Sequence, residues 1–338
     1  MRIAHVCTFT PHACGMYETA RELVAAERRL GVEAYLVDPR PGGTGGPPPW
    51  AEDRGVAAAP LGWLDMADVI VSHSGLSGKD DDNTPRIHVA HGRPRSSYML
   101  GKMESNHVYY AYAQYATDER WKAMVTLWPG YGRYWEKVFP RPVHEFQPFV
   151  DLGRWRYRQS DYDFGGRRGD LNCVITDVWR EDRDPFHVLN SYMEWAGKGT
   201  RLHIYGIRDK DEVALRPLFG AAEAKGILGE VCGHVADLGP VYCAADMLLT
   251  PHRIATRTIR EALACGLQVV AGLGNRYTPY SADEEDLDAY AAAMTVAASD
   301  WASDRDGCRL MNRQAAERNF DPAVTAGQFV RLFQEVAA

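Results

Sequence analysis

Apolar and polar positions along the chain follow two patterns. Short runs of apolar, often β-branched residues are separated by longer stretches in which apolar residues recur every three or four positions. The short runs are typical of buried strands, and the longer stretches are typical of helices that pack one face on a sheet. Their alternation predicts parallel strands joined by crossover helices, an α/β fold. The predicted strands are 2–7, 33–37, 68–72, 86–90, 123–127, 143–149, 171–176, 201–205, 246–249 and 267–271.

The length of the chain predicts two domains. It has 338 residues, and domains commonly hold roughly 100 to 200 residues each. A polar, aromatic and glycine-bearing segment, 157–169, is the expected linker between an N-terminal domain, 1–156, and a C-terminal domain, 170–320. The segment 321–338 has helical spacing, and we expect it to pack back on the N-terminal domain. Two doubly wound, Rossmann-like domains facing each other would turn the carboxyl ends of both sheets toward one cleft.

Composition excludes several classes of protein. With 46% hydrophobic and 25% charged residues and a net charge of −7, the chain matches an ordinary globular protein. No run approaches the ~20 apolar residues of a membrane span. The first residues read directly as a strand, without the apolar core of a signal peptide, so we expect a cytoplasmic protein. The seven cysteines show no CxxC or zinc spacing, which favours buried free thiols.

The segment 251–272 carries the most specific local pattern. A helix is predicted to begin near Thr256 or Thr258, and three arginines crowd its start: Arg253, Arg257 and Arg260. Cations are disfavoured at a helix N-terminus, whereas the N–H groups there and arginine side chains both bind phosphates. The pattern therefore indicates a diphosphate site. The alternative is an ion pair between Arg257 and Glu261 on a solvated helix face.

Two histidines end predicted strands, and each is close to a glycine. His73 follows the strand 68–72 and His91 follows the strand 86–90. Because the carboxyl ends of parallel strands share one edge of a sheet, we expect both to point into the cleft. A purely structural role for each ring is the alternative.

The region 86–141 differs in charge from the acidic whole. It holds nine basic and four acidic residues, a difference of +5, and eleven of the chain's 36 aromatic residues. Basic charge among aromatic faces suits nucleic acid, and it also suits an anionic membrane surface. The alternative is that the aromatic residues belong in part to the core. The acidic run 80–82, in contrast, is interpreted as a solvated loop rather than a metal site.

The residues Glu261 to Gly266 and Val269 to Ala271 resemble the nucleotide-sugar site of family 4 glycosyltransferases, retaining enzymes of the GT-B fold. In that family a Glu-x7-Glu motif runs into a similar turn. The second glutamate falls on Glu261, which by resemblance accepts hydrogen bonds from the ribose of the donor nucleotide. The first glutamate's place is taken by Arg253, which leaves the sugar and catalytic detail open.

Three more segments are similar to this family. The stretch 177–189 holds Arg183 at the place of a diphosphate-binding lysine, with Arg180 offset from the family's arginine; a surface network of these arginines with Glu181, Asp182 and Asp184 is the alternative. The stretch 202–206 matches the strand end where the nucleobase meets backbone, and 143–155 matches the interdomain stretch. Only Gly15 stands where the family has a glycine pair, and the Gly-x-Gly-x-x-Gly of nicotinamide enzymes is absent there.

The resemblance implies a set of site residues. The catalytic set is His91, Arg183 and Glu261. The donor-binding set is Gly15, Arg180, Arg183, Tyr205, Gly206, Arg253, Thr256, Arg257, Thr258 and Glu261. The acceptor-binding set is His73, Arg93, Arg95 and Tyr98. No metal and no cofactor is expected, because GT-B enzymes generally use the nucleotide sugar alone.

The expected reaction is transfer of a sugar from a nucleoside-diphosphate donor, a UDP-sugar, to a hydroxyl, with the anomeric configuration retained. A hydroxymethylated base in DNA is the leading acceptor, since compact enzymes resembling this one occur in bacteriophages that modify their own DNA. A cell-surface glycan or lipid-linked acceptor is an alternative. A sugar-nucleotide epimerase of the same fold and a non-catalytic sugar-nucleotide or DNA-binding protein are the others.

Overall fold

The chain forms two compact units. The computed structural model describes residues 1–7, 15–38, 57–59, 61–73, 83–91, 118–137, 139–165, 170–177 and 185–338. Unit 1 consists of residues 1–149 together with 321–338, and unit 2 consists of residues 150–320. The chain thus leaves unit 1 after Phe149 and returns to it at Asp321.

Unit 1 is built on a parallel sheet. Its strands are β1 (Arg2–Val6), β2 (Glu33–Val37), β3 (Val69–Ser72), β4 (Arg86–Ala90), β5 (Trp121–Thr126) and β6 (Val143–Glu145). Their order across the sheet is β2-β1-β3-β4-β5-β6, and every pairing is parallel. The switch in order at β1, with neighbours β2 and β3, is the topology of a doubly wound fold.

Helices cover the sheet of unit 1. The described helices are α1 (Gly15–Arg29), a 3-10 helix (Leu61–Met66), α2 (Gly132–Trp135) and α9 (Pro322–Ala337). Helix α9 packs on α1, and its apolar side chains complete the largest core cluster of the unit. Phe329 lies edge-on to Phe146, with ring centroids 5.0 Å apart. The predicted docking of the terminal helix therefore has a physical basis in buried aromatic contacts.

Unit 2 repeats the design. Its strands are β7 (Leu171–Ile175), β8 (Thr200–Tyr205), β9 (Leu228–Cys232), β10 (Met247–Leu249), β11 (Gln268–Gly272) and β12 (Tyr280–Ala282). They pair in parallel in the order β12-β11-β10-β7-β8-β9. The helices are α3 (Phe186–Trp195), α4 (Asp209–Lys225), α5 (Gly239–Ala244), α6 (Arg257–Ala264), α7 (Leu287–Ser303) and α8 (Arg305–Asn319).

The boundary between the units differs from the expected one at residue 156. Val150 and Trp155 are buried in a core cluster of unit 2, as is Phe164 from the expected linker 157–169. The Arg313 guanidinium also donates to the carbonyl oxygen of Trp155 at 2.7 Å. Residues 150–165 therefore belong to unit 2, because Val150, Trp155 and Phe164 are buried in its core.

The described residues include six cysteines in the free thiol form, five of them buried. Within the described parts of the chain, no helix is both long and apolar enough to cross a membrane.

Candidate functional site

The loop after β10 is held in one shape by buried polar contacts. The Tyr290 hydroxyl accepts the Thr250 N–H at 3.0 Å and lies 2.9 Å from the Val270 carbonyl oxygen. The Asn275 amide donates to the carbonyl oxygens of His252, at 3.1 Å, and Ile254, at 3.3 Å. Each contact satisfies a backbone group that the loop would otherwise bury unpaired. The path from β10 into helix α6 is therefore fixed.

A buried carboxylate ties three elements together at the carboxyl edge of this sheet. Asp177, just after β7, accepts the Thr250 hydroxyl at 2.7 Å and lies 3.0 Å from the Nε2 of His252. The Thr258 hydroxyl at the start of α6 also donates to it, at 3.3 Å. Asp177 and His252 are absent from the predicted site. Their signal in the sequence is that Asp177 directly follows the predicted strand 171–176 and His252 comes three residues after the predicted strand 246–249.

Helix α6 begins where the sequence predicts, with Thr256 preceding its first residue, Arg257. The hydroxyls of Thr256 and Thr258 lie 2.9 Å apart. The first N–H groups of a helix have no acceptor within the helix, and the helix dipole makes them attractive to an anion. Gly266, with a φ of +85°, follows the helix, in the left-handed conformation that glycine adopts readily.

The three arginines at this helix have different surroundings. Arg257 pairs with Glu261 at 2.5 Å, and both side chains are largely buried. Arg260 is also buried and bonds the Thr256 carbonyl oxygen through Nε at 3.4 Å. Arg253 is 52% exposed and pairs with Glu284 at 3.0 Å. The i, i+4 ion pair given as the alternative thus forms, but it is buried beside the helix start instead of lying on a solvated face.

The strand end after β8 is the segment predicted to meet a nucleobase. Gly206 follows β8 with a φ of +89°, and a Cβ placed on it would contact the Asp177 carbonyl oxygen at 3.5 Å. The side chain of Tyr205 is buried, and its hydroxyl donates to Glu230 at 2.6 Å. Burial and this bond raise the pKa of Tyr205. The side chain of Tyr205 is therefore engaged within the protein.

A chain of hydrogen-bonded histidines crosses unit 1. His73 Nδ1 lies 3.0 Å from His91 Nε2, and His73 Nε2 lies 3.0 Å from His5 Nδ1. His5 Nε2 in turn contacts Glu27 Oε2 at 2.8 Å. His73 is buried, and its two ring nitrogens contact the two flanking histidines. His5 and Glu27 are absent from the predicted site.

The structure describes only part of the remaining predicted site. Gly15 is an exposed first residue of α1. Arg93, Arg95, Tyr98, Arg180 and Arg183 lie outside the described residues, as does the acidic run 80–82.

The described aromatic residues of the region 86–141 belong largely to the core. Trp121, Trp128, Trp135 and Phe139 are all at most 8% exposed. For these four residues the structure supports the core alternative over a nucleic-acid face. Tyr134 is more exposed, and the Arg133 guanidinium lies over its ring at 4.8 Å.

No protein-family model matches the sequence, and no curated protein does. Solved structures match the fold over almost the whole chain. A glycosyltransferase from Rickettsia africae superposes with a TM-score of 0.73 at 10% sequence identity, covering 99% of this chain and 98% of that one. The Anabaena protein HepE in complex with UDP-glucose gives a TM-score of 0.68 at 12% identity, over 99% and 100% of the two chains.

An alpha-glucosyltransferase in complex with UDP and a 13-mer DNA containing a HMU base is also similar. Its TM-score is 0.65 at 14% identity, over 99% of both chains. These likenesses, together with two parallel six-stranded sheets flanked by helices, establish the fold predicted from the sequence: the chain has the GT-B architecture of glycosyltransferases.

Proposed function

We propose that this chain is a retaining glycosyltransferase that moves a sugar from a UDP-sugar to an acceptor hydroxyl. The observation that carries the proposal is the rigid loop from Thr250 to Thr256 leading into α6, with the Arg257 and Glu261 pair beside the helix start. A helix N-terminus next to an arginine and a carboxylate offers partners for both the phosphates and the ribose of a nucleotide. The likeness to HepE bound to UDP-glucose supports UDP as the nucleotide.

The donor is held by unit 2 in this proposal. The N–H groups at the start of α6, with Arg257 and Thr258, face the diphosphate, and Glu261 accepts the ribose hydroxyls. The backbone at Tyr205 and Gly206 meets the nucleobase. Arg253 is held by Glu284, which keeps a carboxylate close to the position where related enzymes have their first glutamate.

The reaction develops negative charge on the departing diphosphate. Arg180 and Arg183 stabilise this charge together with the α6 N-terminus, and such electrostatic stabilisation is commonly the largest contribution to catalysis. The acceptor attacks the face from which the diphosphate leaves, and a departing phosphate oxygen takes the acceptor's proton. The configuration is therefore retained without a side-chain nucleophile. His91 contacts a hydroxyl of the donor sugar.

The proposed acceptor is a hydroxymethylated base in DNA, bound through Arg93, Arg95 and Tyr98. The net charge of +5 over residues 86–141 supports an anionic acceptor. The similar fold of the alpha-glucosyltransferase in complex with a 13-mer DNA containing a HMU base supports DNA as the acceptor.

The test is a transfer assay with a panel of UDP-sugars and DNA containing hydroxymethylated bases, followed by digestion to nucleosides and mass spectrometry. A glycosylated nucleoside is expected, and unmodified DNA serves as the control. An NMR spectrum of each UDP-sugar with the enzyme but no acceptor accompanies the assay. Conversion of the donor to an epimer there would replace the proposal with an epimerase, and no donor binding at all would refute it.

A further inference from the structure

A surface cavity of about 330 Å³ lies within unit 2. It is lined by the segment 157–162, the end of helix α5 and the first turns of helix α8, which are other residues than those of the proposed donor site. Two arginines of α8, Arg305 and Arg309, are part of its lining. A cavity of this volume is at the lower end of the range for small-molecule sites, so it has room for a small organic ligand.

Arg309 is an almost completely buried cation in the lining of this cavity. The residue is 7% exposed, and no described residue accepts a hydrogen bond from its Nη1 atom. Burial lowers the pKa of Arg309, because a charged group in a poorly hydrated site is costly. A buried donor without an acceptor adds a further cost. Such a group in a folded protein requires an explanation, and a ligand that brings the acceptor is one.

Two aromatic rings stack on the Arg309 guanidinium. Its central carbon lies 4.0 Å from the ring centroid of Tyr157 and 5.0 Å from that of Trp301. Ring faces attract a cation, but they do not accept the in-plane hydrogen bonds that a guanidinium forms with oxygen atoms. The stacking therefore restricts the position of the side chain and leaves the edge that carries Nη1 for an oxygen acceptor.

The nearest buried carboxylate does not supply this acceptor. Asp246 attracts Arg309 electrostatically, but its two oxygens are engaged by other donors. Oδ1 accepts from Trp301 Nε1, at 3.1 Å, and from Arg305 Nη2. Oδ2 accepts the Asn172 N–H at 2.8 Å. The charge of Arg309 is thus partly balanced, while its hydrogen-bonding capacity is not used by Asp246.

The other polar groups of the lining leave the same donor unsatisfied. The Cys243 sulfur also attracts Arg309, and its hydrogen bond goes to the Arg156 carbonyl oxygen, 3.5 Å away. Asp306 is exposed. The side chain of Arg305 is 54% exposed and pairs with Asp246 through Nη2. Because a guanidinium has five N–H groups, Arg305 can bind this carboxylate and a further anion together.

We propose that this cavity binds the oxyanion group of a small organic molecule, a phosphate or a carboxylate, with Arg309 as its anchor and Arg305 as a second donor. The oxygens of either group match the planar N–H fork of a guanidinium. Such a ligand supplies the acceptor that Nη1 of Arg309 lacks among the described residues. The site is separate from the proposed donor site, so this inference does not depend on the proposed function.

The first test is an NMR titration of the full-length protein with inorganic phosphate, glycerol 3-phosphate or malonate. Glycerol is the uncharged control. We expect the wild type to bind at least one of the anions and not glycerol, and the anion bound most tightly identifies the phosphate or the carboxylate as the preferred group. Binding of none of the three anions would overturn the proposal.

The matched variants are Arg309→Met and Arg318→Met. The first keeps a long apolar side chain beside the two rings but removes the charge and the donors. The affinity for the bound anion should therefore fall about 10-fold to 100-fold, the scale of a hydrogen bond to a charged group. Arg318→Met removes an exposed arginine of the same helix and should leave the affinity unchanged. Equal affinity in the two variants would overturn the role of Arg309.

Hydrogen exchange read by mass spectrometry locates the bound anion. Protection should rise in the segment 157–162 and at the start of α8 in the wild type and in Arg318→Met, and not in Arg309→Met. A rise confined to residues 250–264 would place the anion in the proposed donor site and overturn this inference. Arg309→Lys keeps the charge but loses the fork, so it decides the question if Arg309→Met does not fold. Its affinity should fall about threefold to tenfold, and wild-type affinity would contradict the proposal.

Discussion

At the scale of single residues, the proposed donor site contains arginines that already pair with carboxylates of the same chain. Arg257 bonds Glu261, and Arg253 bonds Glu284. A buried charge without a partner is costly, so such pairing allows the site to fold when empty. A diphosphate and a ribose would each take over one partner of the Arg257 and Glu261 pair.

The first prediction concerns Glu261→Ala. This change removes the proposed ribose acceptor and leaves the Arg257 guanidinium without its carboxylate. Loss of a hydrogen bond to a charged group costs about 1.5 to 3 kcal/mol, so UDP binding should weaken about 10-fold to 100-fold. Isothermal titration calorimetry with UDP measures this. The matched control is Glu317→Ala, which breaks another i, i+4 pair of unit 2, with Arg313, at a glutamate that is half exposed; an equal loss in both variants would contradict the assignment.

The second prediction concerns His203, a fully buried residue of β8. Its Nδ1 accepts the Glu230 N–H at 3.1 Å and its Nε2 faces the Asn172 side-chain oxygen at 3.2 Å, which satisfies the neutral ring. Burial lowers the pKa of His203 from 6.5 to about 4. Between these values the unfolded chain binds more protons than the folded one, so stability falls as pH decreases through this window.

We expect this residue to account for about 2 to 3 kcal/mol of the stability lost between pH 7 and pH 4. Urea unfolding of the wild type and His203→Gln at several pH values measures it. The variant should be less stable at pH 7 and should lose less stability on acidification. Parallel pH curves for the two proteins would show that His203 does not titrate in this window.

At the scale of elements, the spacing of apolar residues and the residues that begin or end helices account for the elements that the sequence predicts. Strands such as β1 and β7 are short runs of mostly apolar residues, and all ten predicted strands are present in the structure. The sequence analysis missed β9 and β12. Strand β9 (LGEVC) contains a glycine and a glutamate and is only partly buried, and β12 has three residues. Both lie at the edges of their sheet, where fewer neighbours impose an apolar pattern.

The sequence predicts those parts of the candidate site that lie in one local motif, and it misses those that the fold brings together. Helix α6 and Glu261 follow from a local motif, whereas Asp177 meets His252 only because β7 and β10 are neighbours in the sheet. The same holds for the contact between Glu27 and His5, which joins a helix to a strand. A contact between residues far apart in the sequence depends on the order of strands in the sheet, and no single segment of the sequence predicts that order.

The third prediction concerns the packing of β11 against the loop after β10. A Cβ on Gly272 would overlap the Pro251 carbonyl oxygen, a backbone atom that has no rotamer by which to move away. We expect Gly272→Ala to destabilise the protein by about 1 to 3 kcal/mol and to weaken UDP binding, because the loop into α6 must shift. The control is Gly197→Ala, where a Cβ meets open space and φ is not positive. Chemical unfolding and UDP titration measure both effects, and a Gly272→Ala protein with wild-type stability and affinity would contradict the argument.

At the scale of the whole molecule, residues 321–338 follow unit 2 in the sequence but belong to unit 1 in the structure. Helix α9 follows α8 of unit 2 directly in sequence, yet its buried side chains belong to the core of unit 1: Ala326, Phe329, Leu332 and Phe333. The Asp321 carboxylate caps this helix by accepting the Ala323 N–H at 2.8 Å. The Thr325 hydroxyl and the Gln328 amide oxygen bond backbone groups of Gln147 at 2.8 and 3.2 Å. These bonds fix the returning segment at the place where the chain leaves unit 1.

The fourth prediction follows from the packing of helix α9 in the core of unit 1. Phe329→Ala removes a fully buried ring that packs on Phe146, at an expected cost of about 3 to 5 kcal/mol. A typical protein has a total stability of about 5 to 15 kcal/mol. A loss of this size should therefore make transient unfolding of unit 1 much more frequent. Hydrogen exchange read by mass spectrometry should then show reduced protection in β5 of unit 1 and little change in β7 of unit 2. Val324→Ala, on the same helix but 46% exposed, should leave both unchanged. Equal loss of protection in β5 and β7 would mean that the helix stabilises both units, because its packing energy would then be shared by two cores instead of one.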